Sequence, residues 1–436
     1  MRVRLDYGRS GLDVRLDRPA RILEKRPVPP LADPAASLRA ALEAPLAAPP
    51  LRELARGRQG AVIVVSDRTR PVPNAQILPP VLDALAAGGL PPEAVTLLVG
   101  TGLHRPNTPA ELAEMLGSEL SRSLRIAQHD ARDAESHADL GATRGGLPIR
   151  IDRRYVESDL KVVTGLIEPH LMAGFSGGRK GVCPGLAAVE TIRVAHGPAM
   201  LEGHVGPGIV EGNPLHEALV ETAGRAGLDF LVNVALDRER RLIGVFCGDA
   251  LRAHEEGMAF VRGESQVSLD EPADVVLTSA GGDPLDATFY QAIKGVSAAS
   301  GIVAPGGAIL LCASLSEGIG SASFEKLLRE SASTRDFERR LEDDTFFAID
   351  QWMVQHLCQA RRRARVWVYS DGLPAETLAE LLVEPVPSPE EGLARALRGR
   401  GPESQIAVLP QGPYVLPTLR GRPRPLGRDL RGLRTG

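Results

Sequence analysis

Lysine is scarce: of 51 basic residues only five are lysines, Lys25, Lys161, Lys180, Lys294 and Lys326. Each is therefore a stronger candidate for amine-specific chemistry than a lysine in a chain of ordinary usage. Cysteine is sparse too. Cys183, Cys247, Cys312 and Cys358 lie far apart without a CxxC pair, so neither a thiolate zinc site nor a disulfide framework is indicated. No apolar run reaches the roughly 18–20 residues that span a bilayer. The alternating Arg and apolar residues of Met1 to Leu16 contain no signal-peptide core. The expectation is a cytoplasmic protein with no membrane partner. Neither sign of charge dominates, since 51 basic and 55 acidic residues leave a formal charge of −4. That balance provides no global field for gripping nucleic acid. The arginine-rich tail from Arg420 to Arg434 is a local exception. It lacks interleaved aromatics and reads as a packed or disordered tail.

What is present is enough apolar material, 43% of 436 residues, for two or three domains with real cores. Ala61 to Ser66 (AVIVVS), Val95 to Gly100 (VTLLVG) and Asp159 to Leu166 (DLKVVTGL) read as buried parallel strands. Helical stretches intervene at Asn74 to Ala87 and at Thr108 to Leu116, the latter entered through a Thr-Pro pair. A second series follows the polar stretch Gly263 to Pro272. Its strands are expected at Asp274 to Ser279, Ala308 to Ala313, Arg365 to Tyr369 and Gln405 to Leu409. Its helices are expected at Ala287 to Ser300, Phe324 to Ser331 and Phe346 to Arg363. Alternation of this kind implies an α/β fold with mostly parallel sheets. The expected organisation is two α/β domains, residues 1–265 and 272–436, with an active-site cleft between them. The C-terminal tail is able to return to the first domain.

Three polar clusters each follow a predicted strand: Ser66-Asp67-Arg68-Thr69-Arg70-Pro71, Gly100-Thr101-Gly102-Leu103-His104-Arg105-Pro106, and Ile167-Glu168-Pro169-His170-Leu171-Met172. Open α/β sheets bind ligands beyond the carboxyl ends of their strands, so the clusters are expected to converge on one crevice. Taken singly, the first is equally an Asx turn with a cap, and a lone loop histidine is commonly solvated. The next stretch, Ala173 to Gly185 (AGFSGGRKGVCPG), is rich in glycine. Its glycines allow close backbone approach to a ligand. Ser176, Gly177, Gly178, Arg179, Lys180 and the exposed amides form a candidate phosphate cradle, although the Walker A spacing is absent. A helix from Leu186 to Ala195 ends at His196-Gly197-Pro198, and His196 is either a partner of the helix dipole or a ligand.

The set SDRTRPVP, GTGLHRPNT, EPHLMAGFSGGRKGVCPG and VAHGP, in this order, resembles the lactate racemase family of nickel-pincer enzymes. The resemblance continues through Tyr290-Gln291-Ala292-Ile293-Lys294 and Asp350-Gln351-Trp352, and covers roughly residues 60 to 355. It implies racemisation of a lactate-like 2-hydroxy acid through a 2-keto acid, by proton-coupled hydride transfer to and from a nickel pincer nucleotide. That cofactor is a pyridinium-3-thioamide-5-thiocarboxylic acid mononucleotide, made by dedicated synthesis enzymes. Lys180 matches the lysine that tethers the cofactor through a thioamide, and His196 matches the nickel ligand. His104 and His170 match the catalytic histidines. Arg70 and Lys294 match the groups that hold the substrate carboxylate, with Tyr290, Gln291 and Trp352 beside them. Asp67 and Thr69 are placed with the cofactor.

Elementary chemistry agrees with those roles. The Cα–H beside a carboxylate is feebly acidic, so two-base proton abstraction needs a very large barrier reduction. Hydride removal gives a planar keto acid, and return to the other face inverts the centre. The alcohol proton must leave with the hydride, which suits a histidine on each side of the substrate. Only a primary amine can form the amide-type tether, and Arg179 beside Lys180 indicates that charge alone did not demand lysine there. Tyr290 and Lys294 stand at i, i+4 on a predicted helix, with Gln291 between them, so all three can share a face. His129, His137, His204, His216, His254 and His356 read as surface or structural, with His204 or His216 able to shape the cofactor loop. Two alternatives remain open. One is an epimerase or racemase of a larger 2-hydroxy acid, such as an aldonate or malate, in which Arg105 is available to a second carboxylate. The other is a catalytically silent phosphate- or nucleotide-binding protein.

Overall fold

The computed structural model describes residues 1–343 and 346–420. The arginine-rich stretch after Arg420 lies outside the described residues. The chain forms two compact units. The N-terminal unit comprises Pro27–Met200 and Gly208–Gly263; the C-terminal unit comprises Met1–Arg26, Leu201–Pro207 and the chain from Glu264 on.

The N-terminal unit is built on a six-stranded sheet. Its order is Leu242–Gly248, Phe230–Leu236, Leu160–Leu166, Ala61–Ser66, Val95–Gly100, Arg125–Gln128. All neighbours are parallel except the pair Phe230–Leu236 and Leu242–Gly248. The run AVIVVS is buried along its length apart from Ser66, as a strand with helices on both faces requires. Ile63 and Val65 pack with Leu78, Val81 and Leu85 of the helix Asn74–Ala87. From Ala61–Ser66 the chain steps outward through Val95–Gly100 to Arg125–Gln128, then returns to the other side of Ala61–Ser66 with Leu160–Leu166. The direction of winding therefore reverses beside the first strand, where α/β sheets open their binding crevice. The loops leaving Ser66, Gly100 and Leu166 all emerge at the same sheet edge.

The C-terminal unit holds a second six-stranded sheet, all parallel: Glu384–Pro385, Ala364–Tyr369, Val303–Cys312, Ala273–Ser279, Ile406–Leu409, Arg21–Ile22. The first 26 residues, expected with the first half of the chain, belong here instead. Arg21–Ile22 adds an edge strand to Ile406–Leu409. The hairpin of Arg2–Leu5 and Leu12–Arg15 contributes Val3, Leu5 and Val14 to the core around Val275, Leu310 and Val408. The alternation in RVRL marks one face as buried but does not say against which sheet. Leu416–Leu419, at the end of the described chain, pairs with Gln266–Leu269 of this same unit. Among the described residues no helix is long and apolar enough to cross a membrane.

Candidate active site

The loop after Ala61–Ser66 begins with an Asx turn: Asp67 Oδ1 accepts from the Thr69 amide (3.0 Å) and from Thr69 Oγ1 (2.6 Å). The turn leaves Oδ2 for the next loop, where it accepts from His104 Nδ1 at 2.6 Å. Burial pushes the Asp67 carboxyl up, but the bonds from His104 and Thr69 and the charges of His104 and Arg70 outweigh it. The net effect holds the group below the usual carboxylate range. Since an ionised carboxylate only accepts, the His104 hydrogen sits on Nδ1 and Nε2 carries the lone pair. The His104 side chain is 42% exposed, so that lone pair is reachable. This is the orienter–base arrangement of a general base.

Further bonds join these two loops. The Arg68 amide donates to Asn107 Oδ1 (3.2 Å), and the Asn107 amide donates to Gln128 Oε1 (2.6 Å). The helix Pro109–Leu116 starts at the N-cap Thr108, as the Thr-Pro pair predicted, and Glu111 completes a capping box with it. Glu111 also grips Arg105 with both oxygens, at 2.6 and 2.8 Å. Arg105 is thus already paired with a carboxylate of its own chain.

Beyond Leu160–Leu166, a short antiparallel pair, Pro169–His170 with Gly174–Phe175, holds His170. His170 Nδ1 accepts from the Met172 and Ala173 amides, each at 3.2 Å. A neutral ring held this way carries its hydrogen on Nε2, the opposite tautomer to His104.

The glycine-rich loop has tasks that sequence reasoning missed. Gly177 and Gly178 have φ of +74° and +54°; a Cβ on them would lie 2.6 Å from Asn233 Oδ1 and from the His254 ring, respectively. Asn233 Oδ1 accepts from the Gly178 amide (2.8 Å), and His254 Nε2 donates to the Ser176 carbonyl (2.9 Å). The single polar residue in the strand FLVNVAL was the available signal for Asn233. Ser176 and Arg179, expected to face a phosphate, are buried. Ser176 Oγ donates to the Leu166 carbonyl (2.7 Å), while Arg179 reaches the carbonyls of Phe175 (3.1 Å) and Ala173 (2.5 Å). Both side chains fasten their own loop, which corrects the expectation of a side-chain phosphate cradle. Buried carbonyls this close together need donors, and these two residues supply them.

Lys180 differs from its neighbour. Burial first, then the charges of Arg70 and Arg179, push its ammonium down to about 7, and the residue as a whole is half-buried. The Arg70 charge acts on both Asp67 and Lys180, and hydrogen bonds join Asp67 to Thr69 and His104. His196 is the C-cap of Val189–Ala195, and its Nδ1 donates to the Ile192 carbonyl (3.2 Å). With Nδ1 donating, a neutral ring carries its lone pair on Nε2. His216 is half-buried near Arg179, and burial followed by that charge pushes its ring down to about 4.

In the C-terminal unit the helix Phe289–Ser300 carries Tyr290, Gln291 and Lys294, all half-buried, while Ala292 and Ile293 are buried. Trp352 lies on Gln351–Arg363 and donates from Nε1 to Tyr290 Oη at 3.0 Å. Gln291 Oε1 is buried with no hydrogen-bond partner among the described residues.

Comparison with known proteins matches residues 7–206 to the lactate racemase N-terminal domain family and residues 269–416 to the lactate racemase C-terminal domain family. The chain is 33% identical over 384 residues to the lactate racemase of Thermoanaerobacterium thermosaccharolyticum, covering 87% of this chain and 89% of that protein. It is 32% identical over 378 residues to the lactate racemase of Lactiplantibacillus plantarum, covering 86% and 89%. The solved structure of the lactate racemase apoprotein from T. thermosaccharolyticum superposes with a TM-score of 0.90 at 32% identity, over 96% of this chain and 100% of that one. A Thermotoga maritima protein of solved structure shares the fold, with a TM-score of 0.69 at 19% identity, over 88% and 98%.

Proposed function

The chain belongs to the lactate racemase family, and from that premise we propose that it is an isomerase interconverting the enantiomers of lactate with the aid of a nickel pincer nucleotide. The observation that carries this reading is His104, held by Asp67 with its Nε2 open, on the same sheet edge as Arg70 and Lys180.

The residues suit the cofactor. The Lys180 amine, near neutrality at about 7, is the group for covalent attachment, with Asp67 and Thr69 nearby. Among the described residues no cluster of three or more His, Cys, Asp or Glu is placed to hold a metal. A nickel ion bound through His196 Nε2 would therefore take its other donors from the cofactor, and imidazole with sulfur suits that metal. When bound, the cofactor supplies the hydride acceptor and donor.

The chain's own groups handle the carboxylate and the proton. Arg70 offers a bidentate hold on the carboxylate, and we assign Lys294, Tyr290, Gln291 and Trp352 to substrate binding. The unpaired Gln291 Oε1 suits a hydroxyl donor. His104 Nε2 takes the alcohol proton from one enantiomer and its imidazolium returns a proton; we assign His170 the same task for the other enantiomer, which requires a hydrogen on Nδ1 and hence release of the Met172 and Ala173 amides. Ser176 and Arg179 are left out of the assigned contacts because Ser176 Oγ and both Arg179 Nη atoms hold the loop.

Arg105 favours lactate over a dicarboxylate, because Glu111 already occupies both faces of its fork. The test uses protein produced with and without the cofactor-synthesis enzymes, with nickel content, the mass of the Lys180 peptide and racemisation of each lactate enantiomer as readouts. The expected result is activity only where nickel and the added mass are both found. Full activity in nickel-free, unmodified protein would overturn the mechanism. Turnover of malate or an aldonate without turnover of lactate would move the substrate.

A further inference from the structure

We propose that His129 is a positioning residue for the reaction, holding the backbone that leads into His104 in register with the backbone that leaves Lys180. The proposal rests on the functional reading above, since it takes the loops at 100–106 and 174–185 as the catalytic and cofactor loops.

His129 follows the strand Arg125–Gln128. Its amide donates to the Val99 carbonyl (3.0 Å), and its carbonyl accepts from Thr101 Oγ1 (2.8 Å). These bonds bracket Gly100, where the His104 loop begins, and the His104 amide in turn donates to the Thr101 carbonyl (3.0 Å). The ring points the other way and is 0% exposed. Nδ1 bonds Asp152 Oδ2 and Nε2 bonds the Ala187 carbonyl, each at 3.1 Å. Ala187 lies seven positions after Lys180, in a segment tied at neighbouring points. The Gly102 amide donates to the Gly185 carbonyl (3.0 Å), and the Asp152 amide to the Leu186 carbonyl (2.9 Å). Arg154 completes the network on Asp152 through Nε (2.9 Å) and Nη2 (2.6 Å), and also reaches the Gln128 carbonyl (3.1 Å).

An apolar side chain of similar size would fill this space with less desolvation. It would not fix a carboxylate and a carbonyl from two different segments at hydrogen-bond distance. Among the described residues, His129 is the side chain that bonds both Asp152 and the Ala187 carbonyl. The imidazole is therefore best explained by the placement it enforces: loss of the Nε2 bond frees the exit of the cofactor loop, and loss of the Thr101 bond frees the entry of the His104 loop.

Full-length wild type, H129N, H129Q and T101V, each produced with the cofactor-synthesis enzymes, are compared by local hydrogen exchange, by melting and by kcat and KM. The asparagine amide occupies the Nδ1 position and keeps the Asp152 arm; the glutamine amide reaches the Nε2 position and keeps the Ala187 arm. H129N is expected to speed exchange across 185–189 about tenfold, equivalent to about 1.4 kcal/mol, and to lower kcat about tenfold with KM within about twofold. H129Q is expected to recover most of both. T101V, nearly isosteric, is expected to speed exchange across 100–106 and lower kcat about fivefold; it decides the question if the His129 variants fail to fold. Unchanged local exchange, or a lower melting temperature with kcat intact, overturns the positioning role. The expected exchange pattern in a wild type inactive on all 2-hydroxy acids overturns the functional reading instead, and the catalytic part of this proposal with it.

Discussion

The N-terminal unit contains two aspartate–histidine pairs of the same chemical make-up and opposite character. In one, Asp67 holds His104 at 2.6 Å and the imidazole is 42% exposed; in the other, Asp152 holds His129 at 3.1 Å and the imidazole is 0% exposed. Both carboxylates engage Nδ1. What separates the pairs is the far nitrogen. His129 Nε2 is bonded to the Ala187 carbonyl, whereas no described residue bonds His104 Nε2. An aspartate fixes a histidine's orientation, but only an unfilled second nitrogen makes it available to a substrate. The same pair becomes a fastener when a carbonyl fills that position.

His170 supplies the complement. Two amides fill its Nδ1, so a neutral His170 presents a hydrogen where His104 presents a lone pair. A neutral ring does not give up its last hydrogen near pH 7, so His170 can exchange a proton at Nε2 only once Nδ1 carries a hydrogen and those two amides are released.

The comparison can be broken most severely at the exposed pair. His104→Ala and His170→Ala are each expected to lower kcat for lactate about a thousandfold, with melting temperatures close to wild type. A His104→Ala protein within tenfold of wild type would sink the assignment. Asp67→Asn comes next, with an expected loss of about a hundredfold, because a neutral amide no longer selects the Nδ1–H tautomer or stabilises the imidazolium formed on proton uptake. Kinetics with both enantiomers should show parallel losses.

The buried pair should respond in stability. Although burial pushes the Asp152 carboxyl up, the Arg154 bond first and the His129 bond second bring it down to about 2. A carboxyl with a depressed value contributes stability that is complete above its ordinary value of 3.8 and fades as pH falls through about 2. Asp152→Asn is therefore expected to cost about 2 kcal/mol at pH 7, with the gap from wild type closing as the pH is lowered from about 4 to about 2. Denaturant melts at several pH values check this, and a gap independent of pH would contradict it. The smallest effect is expected from Arg105→Ala. Its ion pair with Glu111 lies at the surface, where such pairs contribute at most about 1 kcal/mol, and lactate turnover should stay within about twofold. A large loss confined to malate would restore the dicarboxylate alternative.

The exposed pair was the more legible in the sequence. His104 and Asp67 each follow a β-branched run that could only be a buried strand, and strand ends in α/β sheets are where ligands bind. His129 follows the less apolar strand RIAQ, and nothing local marks Asp152 as its partner, 23 positions away. The glycines at 177 and 178 invited a ligand explanation because their need for space was visible while the occupants of that space, Asn233 and His254, were more than fifty positions off. Arg179 was misread for the same reason: its charge suggested an anion, whereas its neighbours are carbonyls.

Local pattern determined what could be decided within one strand or one turn. Apolar runs and caps set the elements, and the order of motifs identified the family. Only the tertiary structure decided which nitrogen of each histidine is filled, which glycines make room for side chains, and with which sheet the first 26 residues pack. Those outcomes depend on partners brought close by the fold, and the free energy of a buried hydrogen bond is settled by what stands opposite it rather than by what stands beside it in the chain.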